Sequence, residues 1–265
     1  MASPYTADTL YLMVDLLHPH AEGFSLPGTN GEGVVLLHGW TGSPAHLRLI
    51  GPFLNENGYS VEAPRLPGHG THVTAMEQTS WRDWLRAAGE AAQSILDRGE
   101  ELHLVGLSMG GILSILMAPT FDPATVTTIN APMRVQARLG RAAGFLHRWK
   151  PFHEGEIREP PADEAADYWH QYDGFPTRTI HDLFLLVRGA RSALPQVTAP
   201  LLVIQSKVDE TVRPISAEII HDRAGSIQKR IVWLERSRHV ALLDTERNVI
   251  HGEVLRHLGA APASA

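Results

Sequence analysis

The stretch Gly106-Leu107-Ser108-Met109-Gly110 decides the fold of this 265-residue chain. An apolar run at residues 102–105 precedes it, and an apolar run of helical length, residues 111–118, follows it. This context predicts a strand, a sharp turn and a helix, with Ser108 on the turn. A serine on so tight a turn has strained backbone angles, and glycines two positions before and after it let strand and helix approach. The alternative is a glycine-rich helix start that binds an anion through its amides.

Similar apolar runs recur on both sides of this turn, each followed by turn-rich sequence and a helical pattern. The strands predicted from them are residues 34–37, 102–105, 126–129, 201–205 and 231–234. Strands that alternate with helices are typical of a mostly parallel sheet flanked by helices. Ser80, followed three residues later by Asp83, predicts the start of one such helix through a capping box.

Strand-like sequence is absent between Met133 and Pro195, where the chain is mainly helical in pattern, charged and interrupted by prolines. A structureless loop of about 60 residues would be unusual inside a compact domain, so this segment is predicted to be a cap. The predicted organisation is a core formed by residues 1–132 and 196–265, with a helical cap subdomain at 133–195. We expect the cap to cover the carboxyl edge of the sheet, where ligands bind in such folds.

A serine hydroxyl is a weak nucleophile, so it needs a general base and a carboxylate that orients this base. When the serine lies on a turn of this kind, the acid and then the histidine follow it in the chain, each at the carboxyl end of a strand. Asp209 lies four residues beyond the predicted strand 201–205, and His239 lies five beyond the strand that ends at 234. We therefore expect a catalytic triad of Ser108, Asp209 and His239.

Other residues compete for these roles, because the chain contains 15 histidines. His251 and His257 fall in a helical pattern near the carboxyl terminus, and His221 falls in a helix after Pro214, so none of them ends a strand. Glu210 is the nearest alternative to Asp209 as the acid of the triad. The other interpretation is that Glu210 is only a solvated neighbour of Asp209.

Acyl transfer also needs hydrogen-bond donors for the developing oxyanion, each worth about 3–4 kcal/mol in the transition state. One donor is expected from the residue after the nucleophile, the backbone amide of Met109. The second usually comes from the loop after the strand that carries a His-Gly dipeptide, here His38-Gly39. We assign it to the amide of Trp40, with the alternative that Trp40 is only a pocket wall.

Composition narrows the class of protein. The formal charge of -6 gives no reason to expect nucleic acid as a partner, which would call for a basic surface. The chain has no cysteine, so neither disulfides nor a thiolate nucleophile can be proposed. His69 and His72 are three apart but have no nearby third ligand, so we expect a turn near the active-site mouth rather than a metal site. With no signal-like segment, the chain is expected to be soluble and cytoplasmic.

The chain resembles bacterial monoacylglycerol lipases and the similar small carboxylesterases of the α/β-hydrolase superfamily. The residues that carry the resemblance span nearly the whole chain outside the cap: 38–44, 64–72, 106–111, 130–131, Asp209 and 239–244. The resemblance implies an α/β-hydrolase fold with a mostly parallel central sheet flanked by helices and a helical cap inserted after the sixth strand.

The resemblance also implies a reaction, the hydrolysis of a monoacylglycerol to glycerol and fatty acid without metal or organic cofactor. Its cap would admit the acyl chain through an apolar face that can touch a membrane. An acidic cap residue holds the glycerol hydroxyls in such lipases, and the motif Tyr172-Asp173-Gly174-Phe175-Pro176 places Asp173 in that role. These lipases have Glu at that position, and Phe is more usual where this chain has Trp40.

Two other functions remain open from the sequence. The first is a short- to medium-chain carboxylesterase or an acyltransferase on the same scaffold. The second is a non-catalytic protein that keeps the fold to bind a hydrophobic ligand, although all three triad positions are intact.

Overall fold

A seven-stranded sheet forms the centre of the chain in a computed structural model that describes residues 18–134, 149–155 and 159–259. Its strands in chain order are β1 (Phe24–Leu26), β2 (Glu32–Leu37), β3 (Ser60–Ala63), β4 (Glu101–Leu107), β5 (Thr125–Ile129), β8 (Leu201–Ser206) and β9 (Lys229–Leu234). Two further strands, β6 (Phe152–Glu154) and β7 (Gly174–Pro176), form a separate two-stranded sheet. They are arranged in the order β1-β3-β2-β4-β5-β8-β9. Only the edge pair β1–β3 is antiparallel, so the carboxyl ends of the other six strands meet at one edge.

Helices cover both faces of this sheet. They are α1 (Ile50–Glu56), α2 (Val73–Glu77), α3 (Trp81–Asp97), α4 (Met109–Phe121), α5 (Thr177–Ala193), α6 (Ile215–Arg223) and α7 (Arg247–Leu258). Short 3-10 helices occupy Pro44–Leu47, Glu164–Tyr168, Leu194–Gln196 and Ala241–Leu243. None of the helices among the described residues is long and apolar enough to cross a membrane.

The core lies in two layers because successive side chains of a strand point to opposite faces. In β2, Val35 and Leu37 pack in the apolar cluster that contains Trp84 of α3, whereas Val34 and Leu36 pack in the cluster that contains Ile250 of α7. This alternation of fully apolar residues is typical of a strand buried on both faces. The sheet is therefore a rigid support for the loops at its carboxyl edge.

All five predicted strands are confirmed, extended by one to three residues at one or both ends. The start of α3 is confirmed as well, because the Asp83 carboxylate accepts hydrogen bonds from the amide and the hydroxyl of Ser80 at 3.0 and 2.9 Å. The strands β1 and β3 were not predicted. Both are short, and β3 places Ser60 and Glu62 among its four residues, so neither forms a clear apolar run.

The segment predicted as a cap contains the whole of α5 and two elements that the sequence did not predict. These are β6 (Phe152–Glu154) and β7 (Gly174–Pro176), which pair antiparallel, so the prediction of a strand-free insert was wrong. Three-residue strands with polar and turn-forming residues have no periodic signal. The resemblance implied a cap inserted after the sixth strand. Among the described residues the segment follows the fifth strand of the chain, β5, since only β1 precedes β2 there. The boundary at 133–195 stays a prediction, and residues 135–148 and 156–158 of it lie outside the described residues.

Candidate active site

Ser108 lies on the turn between β4 and α4 with φ 55° and ψ −116°, a backbone conformation that residues other than glycine rarely adopt. Its amide donates to the carbonyl of Ile129 at the end of β5, at 2.8 Å, which ties the turn to the neighbouring strand. Only 9% of the residue is exposed. A strained backbone conformation persists only where the surrounding structure imposes it, and such residues are common at functional sites.

The glycines around Ser108 are required by close packing. A Cβ at Gly106 would lie 2.1 Å from the carbonyl carbon of Gly110, and a Cβ at Gly110 would lie 2.1 Å from the carbonyl oxygen of Leu37. No larger residue fits at either position without displacing backbone. The strand–turn–helix expected from this stretch is therefore present, with its glycines where helix and strands touch.

His239 lies between the other two predicted triad residues. Its Nε2 atom is 3.0 Å from Ser108 Oγ, and its Nδ1 atom is 2.8 Å from Asp209 Oδ2. The Asp209 side chain is fully buried, and its Oδ1 atom accepts the amides of Thr211 and Val212, both at 2.8 Å. This carboxylate is thus held in one orientation while its second oxygen faces the imidazole. The arrangement can move a proton from the hydroxyl to the imidazole.

Glu210, the rival acid, contacts the same histidine at a different atom. Its Oε2 atom accepts the backbone amide of His239 at 3.2 Å, whereas Asp209 contacts the ring. His221, His251 and His257 lie on α6 and α7, as their patterns predicted. The geometry therefore joins Ser108 to one acid and one base.

Asn130 is a residue of this site that the sequence did not single out as functional. It is fully buried directly after β5, with φ 47°. Its amide nitrogen donates to the carbonyl of His239 at 2.8 Å, and its carbonyl oxygen accepts the amide of Ser206 at 2.8 Å. Asn130 thus fixes the histidine loop to the ends of β5 and β8. The sequence placed Asn130 within the family resemblance and directly after a buried strand, but neither signal indicated this role.

Glu246 supports the same loop from the other side. Its carboxylate accepts the amides of Glu235, Arg236 and Ser237 and the hydroxyl of Ser237, at 2.8 to 3.1 Å. Desolvation raises the pKa of this carboxyl, but the hydrogen bonds to the charged form outweigh it and lower the pKa to about 2. Sequence spacing could not reveal this brace, because it depends on how the chain turns after β9.

The two amides predicted to bind the oxyanion lie beside Ser108. Met109 is the first residue of α4, so its amide is one of those that have no acceptor within the helix. The backbone just before Trp40 also lies against the serine, since a Cβ at Gly39 would be 3.2 Å from Ser108 Cβ. The Trp40 ring packs against Phe175, with 4.6 Å between the ring centroids. Trp40 thus follows backbone that lies against Ser108, and its ring forms a wall of the pocket.

His38, fully buried after β2, holds the loop of Trp40 in place. Its Nδ1 atom donates to the carbonyl of Gly39 at 2.9 Å, and its Nε2 atom accepts the amide of Leu66 at 3.1 Å. Burial lowers the pKa of His38 well below its usual range, as this neutral donor–acceptor role requires. The His-Gly dipeptide therefore contributes a structural tie as well as a loop start.

A cavity opens from Ser108 between the loop after β2 and the segment before β7. The core contributes Thr41, His46, Leu107 and Val240 to its wall, and the segment 133–195 contributes Trp169, His170 and Gln171. His46 joins the two parts, because its Nε2 atom donates to the carbonyl of His170 at 2.8 Å. Burial lowers the pKa of His46 to about 4, so this ring is neutral at pH 7.

Asp173 lies two residues beyond Gln171, directly before β7. Its side chain is exposed, and it does not line the described cavity at Ser108. Its carbonyl accepts the amide of Gly155 at 2.6 Å, which fixes the backbone here. The structure thus brings five of the six predicted site residues together and leaves Asp173 outside the cavity wall.

His69 and His72, the pair considered for a metal, have other partners. His69 is fully buried, with its Nδ1 atom 3.1 Å from the carbonyl of Pro67 and its ring 5.2 Å from that of His38. His72 Nδ1 accepts the amide of Thr74 at the start of α2. Within the described ranges no group of three or more potential ligand side chains could hold a metal ion.

Comparisons with known proteins agree with this geometry. A family model described as "Alpha/beta hydrolase family" matches residues 34–250. A thermostable monoacylglycerol lipase from Bacillus sp. (strain H-257) is 33% identical over 221 residues, which cover 82% of this chain and 86% of that protein. A carboxylesterase from Bacillus subtilis (strain 168) is 28% identical over 228 residues, 86% of this chain and 92% of its own length.

Solved structures show the same likeness. One reported with LipS and LipT, two metagenome-derived lipolytic enzymes, is 32% identical and superimposes with a TM-score of 0.84, covering 92% of this chain and 99% of the other. The monoacylglycerol lipase of Paleococcus ferrophilus has a TM-score of 0.76 at 17% identity, over 91% and 98% of the two chains, and supports the fold alone.

Proposed function

The chain belongs to the alpha/beta hydrolase family and is a serine ester hydrolase, and we propose that it cleaves monoacylglycerols to glycerol and fatty acid through an acyl-enzyme on Ser108. The observation that carries the proposal is the contact chain from Ser108 Oγ to His239 and on to Asp209, at 3.0 and 2.8 Å. The lipase from Bacillus sp. supports the choice of substrate.

In the proposed mechanism, His239 Nε2 takes the proton of Ser108 as Oγ attacks the ester carbonyl. Asp209 holds the proton on Nδ1 and stabilises the imidazolium that forms. The amides of Trp40 and Met109 donate to the oxyanion, and His239 returns its proton to the departing glycerol oxygen. Water, activated by the same imidazole, then releases the fatty acid from Ser108.

The second candidate is a carboxylesterase without preference for glycerol, which the relative from Bacillus subtilis favours. The two activities share every step at Ser108 and differ only in the alcohol that leaves. The acyltransferase and the non-catalytic ligand-binding protein have no such support. The cytoplasmic location and the contact of the cap with a membrane stay predictions from the sequence.

A substrate panel with the acyl chain and the alcohol varied independently tests the proposal. We expect kcat/KM to be higher for a monoacylglycerol than for the ethyl ester of the same acid, and Ser108→Ala to remove turnover of both and labelling by a fluorophosphonate. Equal kcat/KM for the two esters would favour the carboxylesterase. Turnover that persists in a folded Ser108→Ala variant would contradict the mechanism.

A further inference from the structure

A second cavity lies apart from Ser108, where the carboxyl-terminal turns of α5 approach the end of α6 and the segment after β5. Its volume is about 330 Å³, within the usual range for sites that bind small molecules. Four arginines line it, namely Arg134, Arg188, Arg191 and Arg223. It shares no lining residue with the described cavity at Ser108.

The charge of this cavity is not balanced by ion pairs among the described residues. In the part of the chain that the structure describes, the ion pairs of arginine involve other residues, for example Arg178 and Arg230, and none of the four. The Arg191 guanidinium donates to the carbonyl of Met133 at 2.9 Å, a neutral acceptor. The chain as a whole has a formal charge of -6, so this cluster is opposite in sign to the rest of the molecule.

Helix dipoles explain only part of the cluster. Arg191 and Arg223 lie in the last turns of α5 and α6, where a cation is favourable, whereas Arg188 lies one turn earlier in α5. That effect does not require the cations to face one another, and like charges around one cavity repel. Arg134 adds a fourth charge from a segment that belongs to neither helix. An anion between them would remove the repulsion and accept charge-assisted hydrogen bonds.

Apart from Ser192, the remaining lining residues of the cavity are apolar. Met133 is fully buried, Val187 is 4% exposed, and the Phe184 ring is half-buried at the side of the cavity. Phe184 therefore supplies the apolar surface that is open to the cavity, and an inorganic anion would leave it uncovered. A ligand with an anionic head and an apolar tail would cover both the guanidinium groups and Phe184.

We propose that this cavity binds an amphiphilic anion, with a carboxylate or phosphate head on the arginines and an apolar tail along Phe184. One source of this chemistry rests on the proposed function, since hydrolysis of a monoacylglycerol releases a fatty-acid anion. The other source is the phosphate head of an anionic lipid. A product anion held here would be bound away from Ser108.

Titration calorimetry with matched arginine variants tests the proposal. The protein is first blocked at Ser108 with a long-chain fluorophosphonate. It is then titrated with decanoate, decyl phosphate, decanol and inorganic phosphate below any micelle concentration, and separately with vesicles of phosphatidylglycerol. The variant Arg188→Gln/Arg223→Gln removes two charges from the cavity. The control Arg86→Gln/Arg256→Gln removes two from helix positions whose side chains are 61% and 66% exposed and have glutamate partners.

We expect decanoate and decyl phosphate to bind the wild type and the control with equal affinity. Their affinity for the double variant should be at least about tenfold lower, a difference of about 1.4 kcal/mol in binding free energy. Decanol and inorganic phosphate should bind at least tenfold more weakly. Decanoate stronger than decyl phosphate points to the product, and the reverse order to a lipid head. If the double variant does not fold, judged by circular dichroism, Arg223→Gln alone replaces it.

Three outcomes would overturn the proposal. The first is equal affinity of the double variant and the control for decanoate. The second is inorganic phosphate that binds as tightly as decanoate. The third is binding only to vesicles of phosphatidylglycerol, which would indicate a charged surface patch instead of a site. Failure of the fluorophosphonate to label Ser108 would count against the proposed function alone, because the comparison of variant and control can be made on unlabelled protein.

Discussion

Asp209 and Glu210 are neighbouring acids that contact one histidine through different atoms, and this difference can be measured. The Asp209 carboxylate holds the Nδ1 proton of the ring, whereas Glu210 accepts the backbone amide of His239. Asp209→Asn would place an amide where the imidazole needs an acceptor, and losses of about 10⁴ in kcat are typical when a triad loses its tautomer control. Glu210→Gln keeps an acceptor for the amide, so we expect kcat within about tenfold of the wild type.

The measurement is kcat for a p-nitrophenyl ester for both variants at pH 8, with circular dichroism as the check on folding. A loss in Glu210→Gln as large as the loss in Asp209→Asn would mean that the sequence order misidentified the acid. The two variants differ by one position in the same loop, so effects on the loop backbone are closely matched.

The sequence could predict the triad but not the residues that hold it. Ser108, Asp209 and His239 each follow a strand, and parallel strands bring such positions to one edge of the sheet. Asn130 and Glu246 act through contacts with backbone atoms of the histidine loop, and Asn130 contacts a residue 109 positions away. No local pattern encodes a contact of that kind. It depends on the path of the chain beyond the strands.

The proposed role of Asp173 is a prediction that a pair of variants can decide. Two residues of extended chain span about 7 Å, so Asp173 can reach the mouth of the cavity that Gln171 lines, where the glycerol of a bound ester would meet solvent. We expect Asp173→Ala to lower the ratio of kcat/KM for a monoacylglycerol to that for the ethyl ester about tenfold, the value of one hydrogen bond to a charged group. A ratio that changes only in Gln171→Ala would contradict this assignment.

At the scale of elements, the contact of α4 with β2 leaves no space at Gly110. A Cβ there would meet the carbonyl oxygen of Leu37 at 2.1 Å, and backbone on both sides prevents relief. We expect Gly110→Ala to lower the free energy of unfolding by about 3 kcal/mol, at the upper end of overpacking costs, and to lower kcat by moving Ser108. Gly252 is the control, because it lies within α7 with nothing within 4 Å of its Cβ position.

Urea unfolding followed by circular dichroism measures both variants. Gly252→Ala should raise the free energy of unfolding by up to about 1 kcal/mol, since alanine favours the helix. Gly110→Ala that is as stable as the wild type would show that α4 can move away from β2, and the rigid turn inferred for Ser108 would be wrong.

The elements that the sequence predicted are those buried on both faces. A strand such as β4 has six buried residues among seven, and this gives an apolar run that has no competing interpretation. The strands β1, β6 and β7 have three residues each, and partners elsewhere in the chain stabilise them. Periodicity needs several residues to be visible. The prediction therefore succeeded at the centre of the sheet and failed at its edge and in the segment 133–195.

At the scale of the whole molecule, buried histidines make the fold sensitive to acid. Burial lowers the pKa of several of them to about 4, namely His46, His69, His103, His251 and His257. In the unfolded chain these side chains take up protons near the ordinary histidine pKa of about 6.5. Unfolding therefore binds protons between pH 6.5 and 4, and stability is present above this window and lost as the pH falls through it.

His251 offers the clearest test of this acid sensitivity. Its ring is stacked on Phe53 at 5.1 Å, only 6% of the residue is exposed, and burial, followed by the charge of Arg247, lowers its pKa to about 4. From these values, its share of the stability lost between pH 7.5 and 5.0 is about 2 kcal/mol. We expect His251→Gln to reduce the difference in unfolding free energy between the two pH values by that amount, whatever the substitution costs at pH 7.5.

His221→Gln, on α6 with a side chain 33% exposed, controls for the loss of a histidine. An equal pH dependence in the wild type and His251→Gln, measured by urea unfolding, would show that this ring is charged in the folded protein or solvated as in the unfolded chain.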